Sequence, residues 1–430
     1  MALPRPLSST KKLVYSALIL VVLVVAIELV ASLAGAILTG QRFSRPRLQR
    51  QRYGLMASGG LVTFRTPWVQ EGTLHPFVGF APIPRAGETA TGVAGAVAAH
   101  PPTRRPGVVT VAFLGGSFAV GFVEHAGPRL LARLSELPAY RGKTLVPLNL
   151  TAGGYKEPQQ LMSVVYLLTL GAEIDLLVNL DGFNDIALYP TEDARARAFP
   201  AFPRAWHRQV EGTLQGGALR LMLQRVGLEQ RRAALAQAFS GWPWRDLNLA
   251  NLVYVAFDRD LERRLALTDG QMLGAEDATR TARQVKGPEL TFANQTEMLA
   301  YLVGLWQRSS RLLDQLARAN GARYYHFLQP NQYVPESKPM GPDERVTAVK
   351  GDRYAGLIAA GYPMLQRAGR DLQAEGVRFV DLTGAFAGHA EPLYIDACCH
   401  VGERGNALVA DLIFDTIRRD LQRDPAPVVR

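Results

Sequence analysis

Five short apolar runs, Val108 to Leu114, Leu145 to Leu150, Ile174 to Leu180, Tyr324 to Leu328 and Val377 to Leu382, have the composition of buried parallel strands. The first is β-branched and bounded by Pro106-Gly107 and Gly115-Gly116, which punctuate it on both sides. Between the second and third runs, Pro158 to Leu170 carries Leu161, Val164, Val165 and Leu168 at helical spacing, with Pro158 near the first turn. Strand and helix alternate. The pattern therefore predicts an α/β fold, a doubly wound parallel sheet with its site beyond the carboxyl ends of the strands.

An excursion from about Ile186 to Gly321 interrupts that alternation. It holds an aromatic stretch (Phe199, Phe202, Trp206), a basic amphipathic segment from Leu214 to Phe239, and a tryptophan-rich turn at Trp242 to Trp244. Asn294 to Ala319 reads as a long helix with Leu299, Leu302, Leu305, Leu312, Leu313 and Leu316 on its apolar face. An insertion over the strand ends would either roof the site and select substrate, or serve as a structural helical cap.

At the other end, Leu13 to Gly40 is apolar but for small or hydroxyl residues and Glu28. Such a run is long enough to cross a bilayer and too long for a cleavable signal, so it is expected to be an uncleaved transmembrane anchor. The organisation expected is a tail over 1–12, the anchor over 13–40, a basic stalk and irregular linker over 41–107, and a compact domain over 108–430. Within the linker, Ala86 to Gly107 is built from Ala, Gly, Thr and Pro and reads as a flexible connector.

The net charge of +10 suggests nucleic acid until it is located along the chain. Residues 1 to 52 hold eight basic residues and one acid, leaving only +3 for the rest. The excess thus flanks the anchor, where anionic headgroups attract it, and no nucleic-acid partner is expected. Three basic residues precede the span and five follow it, a mild bias toward a cytoplasmic catalytic part. Cys398 and Cys399 are the two cysteines; adjacent in the chain, they give neither a disulfide framework nor a tetrahedral metal site.

Four segments carry candidate chemistry. Gly115-Gly116-Ser117 closes the first strand with a turn that exposes a hydroxyl at a helix N-terminus, as a nucleophile requires; an N-capping serine would look the same. The backbone N–H groups of Ser117 and Gly154 and the side-chain amide of Asn184 lie just past the first three strands, where they would converge on an oxyanion. His400, after the last strand and before a helix carrying Leu408, Leu412, Ile413, Ile417 and Leu421, is the best-placed base among the seven histidines. Asp396 would orient its imidazole, unless the two merely organise a turn. Gln329 and Asn331, at the end of the fourth strand, would either face the pocket or, the preferred reading, form the turn after Pro330.

These segments resemble the SGNH (GDSL-like) hydrolase superfamily. Its serine block matches Leu114-Gly-Gly-Ser117, with Gly-Gly in place of the usual Gly-Asp, and its glycine block resembles Asn149-Leu-Thr-Ala-Gly-Gly154. The Gly-x-Asn-Asp block matches Gly182-Phe-Asn-Asp185 directly. Its last block reads Asp-x-x-His, whereas here Asp396 is four residues before His400. Either a one-residue bulge keeps the pair in contact, or His400 works in a Ser-His dyad supported by a backbone carbonyl.

The resemblance spans roughly 108–188 and 324–421 and implies a flavodoxin-like sheet. It also implies a serine esterase or O-acyltransferase acting on an ester of a carbohydrate or lipid, with Ser117, His400, Asp396, Gly154 and Asn184 as its centre. No metal or organic cofactor is required. Similarity to surface-glycan and lipid-modifying members places the catalytic part outside the cytoplasm, against the charge bias. The alternative is a catalytically silent SGNH-fold protein that binds a glycan, lipid or protein partner.

Overall fold

The computed structural model describes residues 9–40, 43–59, 72–82, 100–210, 216–278, 286–349 and 354–424. Most of the expected connector, and the first eight residues of the expected tail, lie outside the described residues. By their internal contacts the residues form two units, one of 1–66 with 213–280 and one of 67–212 with 281–430.

In chain order, α1 (Ser9–Thr39) and α2 (Arg45–Gly59) open the first unit. The second begins with an antiparallel hairpin, β1 (Gly72–His75) and β2 (Gly79–Pro82). Then come β3 (Val108–Gly115), α3 (Ser117–Ser135), β4 (Thr144–Asn149), α4 (Gln159–Thr169), β5 (Leu176–Asp181), α5 (Phe183–Leu188) and the short α6 (Trp206–Val210). The chain returns to the first unit for α7 (Gly216–Ser240) and α8 (Asn248–Ala278). It completes the second with α9 (Gln295–Ala319), β6 (Arg323–Leu328), α10 (Pro342–Ala348), α11 (Ala355–Ala374), β7 (Arg378–Asp381) and α12 (Glu403–Arg423).

The five expected strands form one parallel sheet in the order β4-β3-β5-β6-β7. That is the flavodoxin-like order, in which the chain reverses direction across the sheet between the first strand and the third. Every residue of β5 and β6 is buried, as strands covered on both faces must be. Helices α3 and α12 pack together, and α9 packs with α4 and α11. The crevice at the reversal, outside the ends of β3 and β5, is the place such sheets offer a ligand.

Differences from the sequence reading are local. The stretch expected to be irregular around His75 to Phe80 is the β1–β2 hairpin, and part of the expected stalk is α2. The insertion is not one piece, because 213–280 clusters with the N-terminal helices. On α9, Leu312 is exposed while Trp306 is fully buried. On the buried side, the Trp306 indole donates a 2.7 Å hydrogen bond to the buried Asp181 carboxylate.

Candidate active site

The serine block is shaped by what stands around its glycines. Gly115 ends β3 at φ +136°, and a β-carbon there would lie 2.2 Å from the carbonyl oxygen of Leu180. A β-carbon on Gly116 would lie 2.1 Å from Asn184 Nδ2 and 3.0 Å from the carbonyl oxygen of Tyr155. The neighbouring strand β5 therefore demands glycine at 115, and the two loops demand it at 116. Ser117 is half-buried and opens α3, where unpaired N–H groups and the helix dipole favour negative charge.

The glycine block follows β3 to its end: Leu150 N donates to Phe113 O (2.9 Å) and Ala152 N to Gly115 O (3.2 Å). Gly154 is buried at φ +76°. The next residues fasten this loop to two other segments. Tyr155 Oη donates to Phe80 O (2.5 Å) and Gln159 Nε2 to Val78 O (2.9 Å), which docks the β1–β2 hairpin. Lys156 Nζ donates to Pro200 O and Phe202 O, which holds the start of the insertion.

After β5, Gly182 turns the chain at φ +119°, where a β-carbon would strike Leu328 Cδ1 at 2.3 Å. Asn184 Nδ2 donates to Tyr155 O at 2.8 Å. An amide nitrogen carries two hydrogens, so the second is left for another acceptor. Asp185 accepts from Glu157 N (2.7 Å) and Gly182 N (3.1 Å), tying the two loops together. Burial and the nearby Asp181 charge push the Asp185 carboxyl up to about 7, with those two N–H bonds opposing.

Beneath this turn lies a polar cluster that sequence reasoning missed. Asp181 Oδ1 accepts from Trp306 Nε1 (2.7 Å) and bonds His326 Nε2 (2.8 Å), while its Oδ2 accepts from Asn179 Nδ2 (2.9 Å). His326 Nδ1 meets Ser310 Oγ at 2.7 Å. His326 is fully buried and committed on both nitrogens, which removes it from reach of a substrate. The only sequence signal was Asp181 itself, a carboxylate ending an apolar strand.

The fourth block leads into α12. Helix α12 packs along α3, where Arg129 and Arg133 bind Asp411 and the Arg133 guanidinium lies 3.8 Å from the Phe414 ring centre. Thus the helix that begins with Ser117 and the helix that begins just after His400 lie side by side. Asp396 Oδ2 meets His400 Nδ1 at 2.5 Å, so the pair is in contact despite its longer spacing.

The extra residue is absorbed by a turn wrapped around the carboxylate. Asp396 Oδ1 accepts the backbone N–H of Cys398 (2.9 Å), Cys399 (3.2 Å) and His400 (3.2 Å). Burial disfavours the His400 imidazolium, but the hydrogen bond and charge of Asp396 outweigh it and hold His400 above its ordinary value. For Asp396 burial acts upward, and His400 with the Cys398 and His400 N–H groups brings the carboxyl below its ordinary value.

Other elements brace this turn. Gln332 Nε2 donates to Asp396 O (3.1 Å), Tyr333 Oη to Ala397 O (2.7 Å) and Asn331 Nδ2 to Cys398 O (3.3 Å). Asn331 Oδ1 also accepts from Tyr333 N, so it shapes its own turn as expected. Lys338 and Glu344 form a fully buried ion pair at 2.7 Å, and Glu344 Oε1 accepts from the N–H groups of Leu393 and Tyr394. Among the described residues, the donors nearest to a metal set are Cys398, Cys399 and His400, with ligand atoms within 4.8 Å of one another. Their imidazole Nδ1 is already bound to Asp396, and adjacent thiols suit a tetrahedral shell poorly.

No family model and no curated protein matches the chain. Among solved structures, the crystal structure of a GDSL-like lipase from Bacteroides thetaiotaomicron is similar at 13% identity and a TM-score of 0.31. The match covers 73% of this chain and 89% of that one. The fold assignment above rests on the strand order, which stands without that likeness.

Proposed function

We propose that the protein is a membrane-anchored SGNH-type serine esterase or O-acyltransferase acting on an ester of a carbohydrate or lipid. The observation that carries this reading is the meeting of three separate blocks at Gly116, with Asn184 and Tyr155 both within 3.0 Å of its missing β-carbon. A β-to-α turn that used serine only as a cap would have no need of an amide from a second loop against it.

In this reading Ser117 Oγ attacks the acyl carbonyl and passes its proton to His400 Nε2, the nitrogen opposite the one that holds Asp396. The developing oxyanion is met by the N–H groups of Ser117 and Gly154 and by the second amide hydrogen of Asn184. Collapse expels the alcohol, protonated by His400, and leaves an acyl-serine. Water then completes hydrolysis, or a sugar hydroxyl completes transfer.

The anchor reading has its own support. Among the described residues one helix, Thr10–Thr39, is long and apolar enough to cross a bilayer. Ala31 and Gly35 of that helix are buried, and Glu28 accepts backbone N–H bonds from Asn248 and Leu249. A helix packed in this way is part of its unit, which a cleaved signal would not be. The catalytic unit is assigned to the outer side, where ester-bearing surface glycans and lipids are found.

A fluorophosphonate probe tests the chemistry directly. The full-length protein should label at Ser117 and hydrolyse a short-chain ester, and Ser117→Ala should lose both while melting at the same temperature. Unchanged turnover in a folded Ser117→Ala variant refutes the assignment. A reporter fused after Arg430 tests the side: phosphatase activity supports the outer assignment, and fluorescence from a cytoplasm-only reporter overturns it.

A further inference from the structure

The first unit carries an apolar surface that the chemistry above does not use. The turn between α7 and α8 exposes Trp242 and Trp244 by 48% and 60%. From Leu247 to Phe257 the chain has no charged residue. Along that stretch Leu249, Val253 and Phe257, spaced four apart on one helical face, are exposed by 45%, 46% and 61%. A neighbouring side, with Ala250, Tyr254 and Val255, is buried against α2 and α7. The exposed stripe is therefore additional to the helix's core face.

Hydrogen bonds at two points fix this stripe along α1. Glu28 accepts from Asn248 N (2.5 Å) and Leu249 N (3.1 Å), so its carboxylate sits on the positive end of α8. Eleven residues on, the Arg259 guanidinium donates to the carbonyl of Leu38. The two helices thus run in the same direction, and the first three turns of α8 lie beside the last third of α1. A membrane helix needs about 20 residues for a hydrocarbon core of about 30 Å, so a span starting at Leu13 ends near Ser32. Glu28 then lies roughly 6 Å inside the outgoing boundary, at the depth where tryptophan concentrates.

We infer that the α7–α8 arm is a second membrane contact: its Trp242–Trp244 tip and the Leu249-Val253-Phe257 face sit in the interfacial layer of the leaflet from which α1 emerges, clamped there by Glu28. The occupant of this apolar face is lipid, because the Glu28 and Leu38 contacts hold it at the level of Leu29, Leu33 and Ile37, which α1 also leaves exposed. Interfacial seating also gives Glu28, the lone acid of the span, a role as the cap that holds the arm at fixed depth. The inference rests on the anchor reading.

Tryptophan emission in phosphatidylcholine vesicles tests it on the full-length chain. Lipid spin-labelled near the headgroup should quench a component of the emission that is missing in the Trp242→Phe/Trp244→Phe variant. Aqueous acrylamide should leave that component largely untouched. A Leu20→Trp substitution in the double variant reports the anchor by quenching from a deep-labelled lipid. If Leu20→Trp is quenched while the headgroup label quenches wild type and double variant alike, the arm lies in water and the inference fails with the anchor intact. If Leu20→Trp is itself unquenched, the anchor reading fails, and the arm with it.

Discussion

The side-chain amide of Asn184 stands 2.1 Å from the point where a β-carbon on Gly116 would be, closer than such carbons approach any neighbour. The glycine before the serine and the asparagine of a different loop are thus one steric unit. Gly116→Ala should displace the amide and lower kcat by about tenfold or more with little change in KM, since an oxyanion donor binds developing charge rather than substrate. Combined with Asn184→Ala it should cost far less than the product of the two single losses, as residues acting through one contact do. Multiplicative losses would show that Gly116 serves something other than the amide.

Asn184→Ala alone should lower kcat by about 10²-fold or more. Its bond to Tyr155 O gives it a structural role too, so melting temperature has to be measured beside kinetics. A large fall in stability with preserved turnover per folded molecule would make Asn184 a loop clamp only.

The 2.5 Å contact of Asp396 with His400 favours the bulged arrangement over an imidazole held by a backbone carbonyl. Asp396→Asn should now cost about 10²-fold or more in kcat, approaching the loss of the imidazole itself. The sign of its pH effect follows from the pKa. A base must be neutral to accept a proton, and Asp396 holds His400 above its ordinary value, so the acidic limb of kcat/KM is shifted upward from where an ordinary histidine would put it. Asp396→Asn removes that cause and should move the limb to lower pH. A limb that stays in place would mean that another group sets it.

Lys338 and Glu344 are buried together with no exposed side-chain surface. Lys338→Met leaves the Glu344 carboxylate uncompensated beside the loop that carries His400 and should cost about 3–5 kcal/mol of stability. Because Glu344 holds the N–H groups of Leu393 and Tyr394, kcat should fall as well. Denaturant titration in detergent, read beside ester turnover, checks both; an unchanged midpoint would show that the pair contributes nothing net.

The sheet was legible in the chain because buried parallel strands are written locally, as apolar runs between glycines and prolines. All five runs became strands within about two residues of the expected ends. The α4 and α9 helices were legible for the same reason, the latter down to Asn294, whose side chain accepts from Glu297 N at its start. The serine, glycine and asparagine blocks were legible as segments because each sits at a strand end, and strand ends on one edge of a parallel sheet converge whatever lies between them.

What the sequence could not decide is whatever depends on a partner far along the chain. The fit of Asn184 against Gly116 spans 68 positions, and the bond from Glu28 to α8 spans more than 200. Neither leaves a periodic trace, because one contact between distant residues has no period. The Asp396 turn was undecided for a different reason: a four-residue spacing permits either contact or separation, and the choice fell to three backbone N–H groups gathered on one carboxylate oxygen. The division of the insertion between two units was settled by packing alone, since α8 carries one apolar face for α2 and α7 and a second that nothing in its own sequence assigns.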